Sequence, residues 1–104
     1  MDIPLQVTFR GLAHSPALQD RIRDKAVKLH AQHPRITTCR VTVEGRHRHH
    51  AHGRPFSVRI DVHVADHDVV VGYDENEDPH VAVREAFDAA HRQLQAQVGL
   101  KVPS

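Results

Sequence analysis

Six runs of patterned hydrophobicity organise this chain. From residue 3 to 10, Leu5, Val7 and Phe9 alternate with Gln6, Thr8 and Arg10, the period of a half-buried strand. Gly11 breaks the pattern. In the stretch that follows, Leu18, Ile22, Ala26 and Leu29 recur at helical spacing. Ser15 is placed to cap this helix, Pro16 suits its first position, and Pro34 ends it. From 36 to 44 the period returns to two, with Cys39, Val41 and Val43 on one side and Arg40, Thr42 and Glu44 on the other. Phe56, Val58, Ile60, Val62 and Val64 make the clearest strand, with Ser57, Arg59, Asp61 and His63 opposite. Val69, Val71 and Tyr73 carry a shorter strand, with Val70 and Gly72 opposite, and the acidic run 74–78 links it to the last element.

That element spans Asp78 to Gly99. Asp78 can accept hydrogen bonds from the first-turn N–H groups, Pro79 stands at the first helical position, and Gly99 can stop the helix. Val83, Ala86, Phe87, Ala90, Leu94 and Val98 form its apolar stripe. At ~1.5 Å per residue such a helix is about 30 Å long.

The order is therefore β-α-β-β-β-α. The first helix is long enough to cross between parallel strands, and the next three strands can form an antiparallel meander. Two helices with one oily stripe each and four strands with one oily face each give an α+β, two-layer domain: a four-stranded sheet with both helices packed on one face. Residues 1–104 are expected to be one domain with its core over about 3–98 and an exposed, mobile, His-rich loop at 45–54. Thr8, Arg40, Thr42, Arg59, Asp61 and His63 should face solvent.

Composition narrows the chemistry. Three Phe, one Tyr and no Trp leave the core to Val, Leu, Ile and Ala. A formal net charge of +1 announces no global basic excess, although eleven His residues add charge below neutrality. The single cysteine, Cys39, allows no internal disulfide, so a reducing compartment is the simpler expectation. No basic, apolar leader and no membrane-length apolar run is legible, which points to a cytoplasmic protein.

No phosphate loop, nucleophile elbow or zinc-binding His–Glu helix occurs, and the serines occupy a cap, a strand and the last position. Neither an enzyme nor a cofactor is expected. His47, His49, His50 and His52 could converge on one transition-metal ion, but the expectation for the loop is an exposed turn without bound metal. Arg46, Arg48 and Arg54 in the same loop are fixed charges suited to phosphate. Arg21, Lys25 and Lys28 flank the first helix stripe, while Arg84 and His91 flank the second and Arg92 points further outward.

Two stretches, "SPALQDRIRDKAVKL" and "ENEDPHVAVREAFDAAHRQL", in this order of elements resemble the ribosome hibernation promoting factor family, also called ribosome-associated translation inhibitors or sigma-54 modulation proteins. The resemblance covers about residues 3–98 and looks like a short, single-domain member. It implies the β-α-β-β-β-α fold and a non-catalytic protein that binds the small ribosomal subunit near the decoding region and silences ribosomes under stress. It further implies rRNA contacts from Lys25, Lys28 and Arg92, with Arg21 and Arg84 as neighbours; by their own charge, and not by the resemblance, Arg46, Arg48, Arg54 and His91 are candidates for additional phosphate contacts. A monomer, with no membrane and no small-molecule substrate, is expected. The rival expectation is a metal-binding or regulatory module that uses the loop 47–52 on the same fold without the ribosome.

Overall fold

A computed structural model of the chain describes residues 4–45, 56–65 and 69–101. The elements are β1 (Leu5–Arg10), α1 (Pro16–Gln32), β2 (Ile36–Gly45), β3 (Phe56–Val64), β4 (Val70–Asn76) and α2 (Pro79–Lys101). One sheet runs in the order β1-β2-β3-β4, with β1 parallel to β2 and the remaining pairs antiparallel. The β-α-β-β-β-α order and the meander stand as the periodicity predicts.

Both helices start where the sequence places their caps. The Ser15 hydroxyl accepts the Leu18 N–H at 3.2 Å, and the Asp78 carboxylate accepts the His80 N–H at 2.8 Å. At the far end of α1, His33 leaves helical geometry ahead of Pro34, and its N–H still reaches the Leu29 carbonyl at 2.9 Å. Gly99, by contrast, does not stop α2, which continues to Lys101. Glycine only permits a left-handed stop, and nothing in its side chain enforces one.

The register sets the two faces of the sheet. Leu5, Cys39, Val62 and Val70 align across the strands, as do Val7, Val41, Ile60 and Gly72. These rows meet Leu18, Ile22, Ala26 and Leu29 from α1 and Val83, Ala86, Phe87, Ala90 and Leu94 from α2 in one core. Ala82 also joins the buried stripe. Leu5, Val7 and Phe9 on the edge strand are only partly buried against it.

Three strand details differ from the sequence expectation. In β4 the buried face is Val70 and Gly72, whereas Val69 and Tyr73 are exposed. Gly72 faces inward because α2 crosses there so closely that a side chain has no room: a Cβ on Gly72 would lie 2.2 Å from the Ala86 carbonyl oxygen. Asp74, Glu75 and Asn76 belong to β4 rather than to a linker, because β3 offers Val58, Ser57 and Phe56 as ladder partners. Gly45 likewise ends β2, paired with Phe56, and its carbonyl approaches Gly11, whose φ of 72° only glycine adopts freely.

The open face carries Thr8, Arg40, Thr42, Arg59, Asp61 and His63, partly or fully exposed as expected. Ser57 is the exception at 5% exposure. It sits in a hollow on the central strand β3, covered by Arg10, Glu44, Arg59 and Tyr73.

Candidate nucleic-acid interface

The two faces of the domain handle charge differently. On the open sheet face, opposite charges meet across the ladders. Arg40 stands opposite Asp61, Arg10 opposite Glu44, and Arg59 reaches Asp61 at 3.1 Å. This face is balanced by its own register.

The helix side is not balanced in that way. Because Leu18, Ile22, Ala26 and Leu29 turn inward, the residues one position along the helix surface are forced outward. Arg21, Lys25 and Lys28 thereby come together along a groove between α1 and the start of α2, where His80 forms the far wall. Asp20, Asp24 and Ala17 complete the lining. The three cations make no ion pair among the described residues, although two carboxylates share the groove. His80 was not singled out by the sequence. Its Nδ1 is buried without a hydrogen-bond partner, and the residue lines the groove together with three cations and two carboxylates. Its position directly after Pro79 in the first turn of α2 was the available signal.

The second helix contributes less. Arg84 is exposed but pairs with its neighbour Glu85 at 3.4 Å. Arg92 is exposed and makes no ion pair among the described residues. Neither lines the groove formed by Arg21, Lys25 and Lys28. His91 is not a free flank residue. Its Nδ1 lies 2.9 Å from Nε2 of His33, the residue that closes α1. Burial, and then the charge of His91, push the His33 imidazole below its ordinary pKa. His33 also escaped the sequence, where it reads as the end of a helix before a proline.

Arg46, Arg48, Arg54, His47, His49, His50 and His52 lie outside the described residues, as does most of the expected mobile loop. Among the described residues, no three His, Cys, Asp or Glu side chains converge to hold a metal ion. Cys39 is buried, and its thiol is pushed up to about 12 by desolvation first and by Asp61 second. It is held as a neutral thiol, without the thiolate needed for nucleophilic chemistry. Among the described residues, no helix is long and apolar enough to cross a membrane.

The arrangement suits a polyanion. Unpaired cations on a rigid helix flank attract phosphate without demanding a particular base. Residues 5–99 match the family described as Sigma 54 modulation protein / S30EA ribosomal protein. Among solved structures, the chain is similar to a ribosomal subunit interface protein from Coxiella burnetii, with a TM-score of 0.74 and 18% identity over 93% of this chain and 99% of that one. It is also similar to the N-terminal domain of Protein Y from Thermus thermophilus, with a TM-score of 0.72 and 19% identity over 93% of this chain and 99% of that one. At these identities the two structures speak for the fold. No curated protein matches.

Proposed function

The chain belongs to the sigma 54 modulation protein / S30EA ribosomal protein family, and from that membership we propose that it is a cytoplasmic protein that binds the small ribosomal subunit, occupies the decoding region and holds translation inactive under stress. The family is ribosome-associated and non-enzymatic, so the action is by occupancy: the protein fills a site and makes or breaks no covalent bond.

The observation that carries this reading is the cationic groove of Arg21, Lys25 and Lys28 beside the start of α2, set against a sheet face whose charges are already paired. A rigid array of this kind recognises the backbone of folded rRNA by position and charge. Arg92 extends the contact along α2, and Arg84 supports it more weakly because Glu85 already engages it.

Co-sedimentation on sucrose gradients tests the proposal. The wild-type protein is expected to travel with the small subunit and to dissociate steeply as salt rises, since each neutralised phosphate releases counterions. The Lys25→Glu/Lys28→Glu variant should remain folded by circular dichroism and lose most of that binding, because both positions lie outside the core. Equal occupancy for the two proteins at physiological salt would remove the helix groove as the binding surface.

A further inference from the structure

The two helices meet at a histidine pair that the proposed function does not use. His33 closes α1 and His91 lies in the middle of α2, 58 residues apart in sequence. Their rings stand 5.0 Å apart at 58°, and Nε2 of His33 lies 2.9 Å from Nδ1 of His91. Both residues are partly buried. We propose that His33 and His91 form a proton-sensitive latch that fixes the end of α1 to α2 near neutral pH and releases it in acid.

The chemistry of two imidazoles sets the behaviour. With both rings neutral, one N–H donates and the other nitrogen accepts. With one proton added, an imidazolium still donates to a neutral partner. With two, both facing nitrogens carry N–H groups and both rings carry charge, so the contact becomes repulsive. Among the described residues neither ring forms an ion pair with a carboxylate, and Asp88, one turn before His91 on α2, is the acidic group nearest to the pair along that helix. Beside His33 along the chain stand His30 and Arg35; beside His91 on α2 stand Asp88 and Arg92, both exposed. The influences on His33 are burial first and the charge of His91 second, and both resist its protonation.

The linkage has a definite sign. A histidine whose folded pKa lies below its unfolded value stabilises the fold above the unfolded value, near pH ~6.5. That contribution is lost as pH falls from there through the folded value. Lys28 on α1 and Arg92 on α2 lie close in sequence to the two latch residues. Release would therefore disturb the relative placement of the two cationic flanks proposed to meet rRNA.

A double-mutant cycle on the full chain tests the latch without involving the ribosome. Wild type, His33→Asn, His91→Asn and the double variant are unfolded in urea at pH 8, at pH 5 and at pH 4. The coupling between the two positions is expected to be roughly fivefold in the folding equilibrium constant at pH 8, the size of one hydrogen bond. As the pH is lowered further, to pH 4, and both rings come to carry a proton, it should diminish and then vanish or change sign. Coupling that stays the same size down to pH 4, or none at pH 8, would overturn the proposal. Imidazole NMR titration of the wild-type protein gives a second readout that requires no variant. The latch requires one ring to take its proton at clearly lower pH than an exposed histidine; two rings titrating independently at the ordinary value would overturn it. Ribosome binding can fail with the latch intact, and the latch can fail with binding intact.

Discussion

The carbonyl oxygen of Ala86 occupies the space that any side chain at Gly72 would need, since a Cβ there would stand 2.2 Å away. Ala90 closes the same site from one turn further along α2. The sheet and the second helix are thus in backbone contact at this point, and the obstacle is a main-chain atom that cannot rotate aside. Gly72→Ala is expected to destabilise the domain by about 3 kcal/mol, the upper end of overpacking costs. Urea unfolding measures it. A change below about 0.5 kcal/mol, the range of an indifferent surface substitution, would show that α2 is free to shift.

Cys39 supplies a stability change in the alkaline range. Its thiol ionises near 9.0 when unfolded and only at about 12 when folded. The folded state holds the proton more tightly, so the thiol's contribution is complete below pH 9 and is lost between 9 and 12. The expected slope approaches about 1.4 kcal/mol per pH unit in that window. Cys39→Ala should lack this slope, although it lowers stability throughout by opening a small cavity. Native protein at pH 8 should resist alkylation, because roughly one thiol in ten thousand is ionised when the pKa is about 12. Rapid labelling without unfolding would contradict the burial.

Gln93 gives the edge of the sheet a partner. Its side-chain amide donates to the Val71 carbonyl on β4, the strand that ends the sheet order with one ladder neighbour among the described residues. An unpaired edge carbonyl invites another chain to pair with it. Gln93→Ala is expected to cost about 1 kcal/mol, more than an ordinary exposed helix position, and to raise aggregation at high concentration. Light scattering and urea unfolding together check both effects. An unaltered protein would reduce Gln93 to surface.

Arg84 and Arg92 separate two explanations of binding. Net charge alone predicts the same loss for Arg84→Glu and Arg92→Glu. Arg84 already engages Glu85 at 3.4 Å, whereas Arg92 is unpaired among the described residues. Arg92→Glu should therefore weaken ribosome binding more and reduce the salt slope by about one contact or more. Equal losses would assign the effect to overall charge.

Most of the scaffold was legible because it rests on periodicity and cap chemistry. Leu18, Ile22, Ala26 and Leu29 are buried as their spacing requires, and Ser15 caps as its position requires. The face of β4 was not legible, because Val69, Val70 and Val71 are consecutive and alternation cannot choose between them. The choice is made by α2, which needs Gly72 beneath it. The cationic flank of α1 follows from the same spacing that defines its core. The pairing of His33 with His91 depends on how two helices cross, and a single chain's local pattern carries no trace of that crossing.

The parallel pairing of β1 with β2 also fixes an order of assembly. β2, β3 and β4 follow one another in the chain and pair antiparallel with their neighbours, whereas β1 meets β2 in parallel across the whole length of α1. Its ladder closes a long loop, the slow kind of contact to form, and its apolar residues bury only part of their surface. β1 is therefore expected to dock last and to leave first. Transient openings of the native domain should begin there and expose the edge of β2, while the meander and α2 stay closed.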